Sequence, residues 1–403
     1  MRKFFSYPVK LSAETIRNLG AWRLLKIVVT YLHACVFPRR PEKSLEDFII
    51  NRFGKGLYLT FFKDYTEKVW GVPCHRISQE WGAQRIKGLS IWKALVHALK
   101  QVLSRPSKDR GFRQKETQTS LIEQFLYPKY GPGQMWTEVT KEIQRLGGEI
   151  HFRSEVIGVT LDHGRVASVS VKRDSGAINR INGDYVLSSM PVRDLIAGMN
   201  DVPDEVRQVA AGLQYRDFIT VGMLVRRMKH DGVNSSSHFM YPDNWIYIQE
   251  KDVKLGRLQI FNNWSPWLVA DQKTVWLGLE YFCSEEDTIW QMRDEEIKQL
   301  AMEELAKINL IDTDDVLDSH VERVPKAYPA YFGCYGEFDV IRHFVDTIPN
   351  LFLMGRNGMH RYNNQDHSML TAHHAAVCIQ QGRTEKDHIW AVNLDDEYHE
   401  EKR

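Results

Sequence analysis

Residues 351–372 read LFLMGRNGMHRYNNQDHSMLTA, and the fold turns on this stretch. Leu351-Phe352-Leu353-Met354 is an apolar run without alternation, the pattern of a strand buried on both faces. Gly355 and Gly358 follow at once and allow backbone conformations and close approaches that a side chain forbids. A polar loop then leads into an alanine-bearing helix, from about Asp366 to Gln381, with Gly382 as its C′ residue. Asp366 reads as the N-cap of that helix. The helix aims its N-terminus at the loop, where free N–H groups and the dipole favour negative charge. Arg356 is a candidate for bidentate pairing with a phosphate or an anionic substrate, against the plainer reading of a surface ion pair.

Working outward, Asp184-Tyr185-Val186-Leu187-Ser188-Ser189-Met190-Pro191 is a second short apolar strand that ends where a site would begin. Tyr127 to Gly133 is a rigid glycine-bearing turn. The helix after it carries Met135, Trp136, Val139, Ile143 and Leu146 on one face and closes at Gly147-Gly148. Residues 157–171 alternate around Asp162-His163-Gly164, a hairpin pattern. Strand-like runs at 218–225, 245–249, 258–261 and 275–282 point to an antiparallel sheet. It carries one helix with Ile297, Leu300, Ala301, Leu305 and Ile308 on a face and Asp294 as N-cap. Residues 1–120 read as mainly helical: Ser44 caps a helix that Gly54 stops, and a short helix spans Leu57 to Lys63. Residues 104–118 are polar and read as an exposed linker.

The 403 residues suggest two or three structural units. With 43% hydrophobic and 26% charged residues the chain is an ordinary globular one, which excludes a largely disordered or coiled-coil protein. Fifty-three basic residues against fifty-two acidic ones leave no field for steering nucleic acid, so no nucleic-acid partner is expected. Five scattered cysteines without C-x-x-C pairs read as reduced thiols, and the chain as cytoplasmic. Residues 21–37 are apolar but interrupted by Arg23, Lys26 and His33, and are too short to span a bilayer. The favoured reading is a core-facing helix with a solvated basic side. The alternative is a surface-lying amphipathic helix in peripheral membrane contact. His360, His367, His373 and His374 lack the spacing of a metal site, and none is expected. Trp70 reads as a packed anchor. Tyr328, Tyr331 and Tyr335 are candidates for a substrate wall or for core.

Four stretches in this order resemble the flavin-dependent amine oxidase superfamily, which includes protoporphyrinogen oxidase-like proteins and UDP-galactopyranose mutase. They are YPKYGPGQMW (127–136) with the helix and strand that follow, DYVLSSMP (184–191), VERVPKAYPAY (321–331), and the closing stretch 351–372. FFKDYTEKVWG (61–71) and GRNGMHRYNNQD (355–366) are similar to runs of the mutase branch. The family's G-x-G-x-x-G fingerprint, with an acidic residue after the second strand, is absent, since Gly54/Gly56 and Gly131/Gly133 do not sit between a strand and a helix in that spacing. On the resemblance, the chain looks truncated at its amino terminus or completed by another polypeptide.

The resemblance implies an α/β fold: an incomplete doubly wound FAD-binding domain plus a mixed β-sheet and helical substrate domain. The implied division is 1–119 helical substrate part, 120–211 FAD-domain segment, 212–332 substrate sheet with helix, 333–390 closing strand and helix, and 391–403 polar tail. It implies FAD as cofactor, contacted by Val156, Ser188, Gly355, Arg356, Asn364, Asp366 and Met369. Arg356, Tyr328 and Tyr331 are the implied catalytic residues. The implied activity is oxidation of a C–N or C–C bond by hydride transfer to the flavin, with a small-molecule partner, an amine or, for the mutase alternative, a sugar nucleotide. The alternatives are isomerisation of a sugar nucleotide and a non-catalytic fragment that needs a partner to bind FAD.

Overall fold

A computed structural model describes residues 2–6, 13–79, 81–82, 126–229 and 240–392. The polar stretch 104–118 and the tail from 393 lie outside the described residues. The amino-terminal part is helical: α1 (Ala13–Leu19), α2 (Ala21–Val36), α3 (Leu45–Leu57) and α4 (Lys63–Trp70). Helix α5 (Gly133–Arg145) precedes strands β1 (Ser154–Asp162), β2 (Arg165–Arg173), β3 (Ile178–Asn182) and β4 (Val186–Ser188), then α6 (Val192–Ala197) and α7 (Asp204–Ala211). Next come β5 (Tyr215–Val225), β6 (Trp245–Tyr247), β7 (Arg257–Ile260), β8 (Val275–Cys283), α8 (Asp294–Lys307) and β9 (Val316–Pro329). The chain ends with α9 (Phe338–Asp346), β10 (Leu351–Leu353), the single turn α10 (Gly355–Gly358), α11 (Gln365–Gln380) and α12 (Asp387–Ala391). Two compact units divide these elements, 1–134 with 218–323 and 135–217 with 324–392.

The first unit is built on a five-stranded sheet of order β6-β7-β8-β5-β9, antiparallel where β7 meets β6 and β8. Period-two alternation decides its buried face. Ile219, Val221, Met223 and Val225 of β5 and Val275, Leu277, Leu279 and Tyr281 of β8 are all buried, in one cluster with Ile297, Ala301 and Leu305 of α8. Asp294 is not the cap of α8. Arg293 holds the N-cap position, its N–H donating to the Glu296 carboxylate at 2.9 Å, while Asp294 pairs with Arg323. Ser44 does cap α3, accepting from the Asp47 N–H at 3.2 Å. Gly54 kinks α3 at φ 79° rather than ending it, and the segment after it is a π-helical turn, Tyr58–Phe62, followed by α4. The kink serves helix packing: a Cβ on Gly54 would lie 2.6 Å from the Tyr31 Cα of α2.

The stretch 61–71 acquires a structural reason here. Lys68 of α4 donates from Nζ to the carbonyls of Ile248, Glu250 and Leu255 at 2.8–2.9 Å, so one ammonium closes the loop that joins β6 to β7. Trp70 is buried as expected, edge-on to Trp81. Helix α2 corrects the favoured reading. Only Ile27 and Ala34 are buried, while Trp22, Leu25, Val29, Leu32 and Val36 are exposed.

The second unit holds an antiparallel β1-β2-β3 sheet and a parallel pair, β10 with β4. Asp162-His163-Gly164 is the expected turn, with positive φ at His163 and Gly164, as a type I′ hairpin requires. Strand β3, INRIN, is exposed throughout, which is why no hydrophobic pattern announces it. Leu351, Phe352 and Leu353 pair with Val186, Leu187 and Ser188. They lie in a core with Leu195, Ile196, Ile341, Val345 and Ala375. Asn350, 1% exposed, latches the two sheets of this unit: its side chain exchanges hydrogen bonds with the Val166 backbone and donates to the Asp184 carbonyl. Helix α5 forms where expected, yet none of its residues is buried. Met135, Trp136, Val139 and Ile143 are 37–40% exposed.

Candidate functional site

The carboxyl ends of β4 and β10 point the same way because the pair is parallel, and the closing loop begins there. The Met354 N–H donates to the Ser188 carbonyl at 3.0 Å, extending the pairing by one residue. Gly355 turns the chain at φ 71°, and its N–H donates to Thr371 Oγ1 of α11 at 3.0 Å. Gly358 lies so close to the end of β4 that a Cβ there would sit 2.6 Å from the Ser188 carbonyl oxygen. Two glycines thus let strand, loop and helix meet at one place.

Arg356 reaches back across this loop. Its Nε and Nη2 donate to the Asn363 carbonyl at 3.1 and 2.7 Å, and Nη1 donates to the Ala327 carbonyl at 3.1 Å. Three of its five N–H groups are therefore committed to backbone rather than to an anion. The guanidinium lies 4.7 Å from the Tyr362 ring and 5.3 Å from that of Tyr328. Those two rings stack in parallel at 5.4 Å. Tyr328 is half-buried beside the loop. Tyr331 is 2% exposed, and its hydroxyl accepts from the Tyr362 N–H at 2.7 Å, which makes it a support of the loop and not a wall.

His360 is a second support that spacing alone did not single out. It is fully buried at φ 47°, edge-on to Tyr215 at 4.8 Å and against Phe338, with Nε2 3.2 Å from the Ala330 carbonyl. Burial, aided by the charge of Arg193, pushes its pKa down to about 4, so the ring is neutral and Nε2 carries the donated proton. Lys326 is a third support. At φ 53° its N–H donates to Asp217 at 2.7 Å, its ammonium pairs with Asp194, and its carbonyl accepts from Asn357. Only the fold brings Asp194, Asp217 and Lys326 together, so no local signal marked them.

The N-cap of α11 is Asn364, one turn's start earlier than Asp366, and its side chain makes no capping bond to the first amides. Asp366 lies in the first turn, where the His367 imidazole at 3.0 Å holds its carboxyl below the ordinary range. Met369 is exposed on the same helix, and Val156 pairs with Val171 on the other sheet of the unit. Among the described residues, four buried polar atoms on the strand end and loop have no hydrogen-bond partner: Ser188 Oγ, Asn357 Oδ1, His360 Nδ1 and Asn363 Nδ2. Buried polar groups are nearly always satisfied, so orphans of both donor and acceptor type beside the first turn of α11 fit the polar rim of a bound ring.

A family model of flavin containing amine oxidoreductases matches residues 36–379. The fold is similar to that of reduced UDP-galactopyranose mutase, at 19% identity and a TM-score of 0.71, over 93% of this chain and 75% of that one. It is also similar to a protein assigned as a protoporphyrinogen oxidase from Exiguobacterium sp. 255-15. There the identity is 16% and the TM-score 0.59, over 95% of this chain and 75% of that one. The match spans well over half of the sequence, and the chain belongs to the flavin containing amine oxidoreductases, enzymes whose cofactor is FAD.

Proposed function

We propose that the protein oxidises a C–N or C–C bond of a small-molecule substrate by hydride transfer to FAD held at the closing loop. The observation that carries this reading is the set of orphaned buried groups, Ser188 Oγ, Asn357 Oδ1 and Asn363 Nδ2, beside the N-terminus of α11, where the Asn364 side chain makes no capping bond. The flavin supplies the hydride acceptor, and the chain supplies orientation and electrostatics. Ser188, Gly355, Asn363, Asn364 and the first amides of α11, near Asp366 and Met369, would hold the cofactor. The first-turn N–H groups favour negative charge on it. Arg356 is a positioning residue that fixes Asn363 and Ala327. Tyr328, stacked on Tyr362, offers substrate a flat half-buried surface. Val156 on β1 would hold the far end of the cofactor.

A second reading, isomerisation of a sugar nucleotide, draws on that same tyrosine stack. The two uncommitted N–H groups of Arg356 beside it suit a diphosphate. One experiment separates the readings: the protein is loaded with FAD, then mixed without oxygen with a panel of amines and with UDP-sugars, once with the flavin oxidised and once after its reduction by dithionite. Loss of the oxidised flavin absorbance with formation of an oxidised product is expected. An isomerised sugar nucleotide formed only with reduced flavin selects the second reading. Failure of either class to reduce the flavin or perturb its spectrum overturns both.

A further inference from the structure

Helix α2 is fastened to α3 along one side only. The Gly56 N–H donates to Thr30 Oγ1 at 2.8 Å, and a Cβ on Gly56 would lie 2.8 Å from the Ile27 Cα, so the two backbones are in close contact. That contact buries Ile27 and Ala34 and defines the inner side. On the outer side Trp22, Leu25, Val29, Leu32 and Val36 recur at alternating spacings of three and four, the period of a single helical stripe. All five are 53–78% exposed, and Val28 and Phe37 widen and lengthen the stripe. From Trp22 to Phe37 it runs roughly 22 Å. Single exposed apolar residues need no explanation, but a continuous stripe of this length marks an interaction surface.

Charge decides the partner. Arg23, Lys26 and His33 line one edge of the stripe, and α2 contains no acidic residue. Neither Arg23 nor Lys26, nor Arg40 just beyond the helix, forms an ion pair among the described residues, whereas Arg39 is committed to Glu46 and Asp47. A second copy of α2 would bring no carboxylate to answer these cations. An anionic lipid surface answers both features, taking the apolar stripe into the acyl boundary and the cations onto phosphate. At 16 residues α2 is shorter than a bilayer span, and among the described residues no helix is long and apolar enough to cross a membrane.

We propose that α2 is a membrane-surface anchor that lies in the headgroup plane of an anionic bilayer. The test is co-sedimentation of the full chain with phosphatidylcholine vesicles and with vesicles containing roughly a third phosphatidylglycerol. Binding to the anionic vesicles, weakened by salt, is expected, with little to phosphatidylcholine alone. Charge removal in R23Q/K26Q should weaken binding roughly 30-fold, about fivefold per cation. The double variant L25E/L32E should abolish binding while circular dichroism and melting temperature stay unchanged, since both positions face solvent. Absence of binding to either vesicle overturns the proposal, and so does equal binding to both that R23Q/K26Q leaves intact. A dimer that L25E/L32E dissolves, without vesicle binding, assigns the stripe to a second copy and overturns it as well.

Discussion

His360 ties the stability of the second unit to pH in a way that can be worked through. The ring is fully buried, its Nε2–H is given to the Ala330 carbonyl, and Nδ1 has no partner among the described residues. Its folded pKa is about 4, against 6.5 for an exposed histidine. Between those values the unfolded chain binds a proton that the folded unit refuses. Stability therefore rises with pH across this window and is lost as pH falls from about 6.5 towards 4. At roughly 1.4 kcal/mol per pKa unit, the depression amounts to about 3 kcal/mol. The perturbation is His360→Gln, whose amide keeps an N–H for Ala330 and does not titrate. The assay is hydrogen exchange at the β10 amides, which reports opening of this unit, measured in both proteins from pH 7 down to pH 4. Other titrating groups contribute equally to both and cancel in the difference. The wild-type curve should drop relative to the variant by about 3 kcal/mol over that range. Two parallel curves would refute the claim that a neutral, buried imidazole holds this loop.

Other expectations follow from particular contacts. Lys68→Met leaves three loop carbonyls without their donor, at roughly 1–3 kcal/mol for each that stays buried. Urea unfolding of the first unit should therefore show a loss of about 3 kcal/mol or more. A change below about 1 kcal/mol would mean that water replaces the ammonium. Gly54→Ala must adopt φ 79° with its Cβ against Tyr31, so a cost of at least about 2 kcal/mol is expected, and a neutral variant would show that α2 and α3 can separate. Arg356→Ala should release Asn363 and Ala327, lower FAD retention in equilibrium dialysis and speed amide exchange over 359–364. Asp366→Ala should do less, because its carboxylate is engaged by His367. Equal FAD retention in wild type and both variants would remove this loop from the cofactor site.

Local pattern alone determined a good deal of this molecule. The apolar run at 351–354, the hairpin turn at His163-Gly164, the Ser44 cap, the Ile297–Leu305 helix face and the closing helix with Gly382 all follow from interactions within a few residues, where period and turn chemistry act. Helix ends were less legible. Asp294 and Asp366 are sound capping residues, yet Arg293 and Asn364 hold those positions, because the cap is chosen by where the preceding chain arrives. Tertiary structure alone decided which groups are used up. Arg356 looks like an anion ligand in sequence, but its guanidinium is held by carbonyls 7 and 29 residues away. Tyr331 is consumed by the Tyr362 amide, and Lys68 by carbonyls some 180 residues distant. The exposure of α2 is of the same kind. Its composition suits a core or a surface equally, and only the close backbone contact at Gly54 and Gly56 selects which side of the helix turns inward. Hydrophobic period states that a face exists; burial, which depends on every other element, states what covers it.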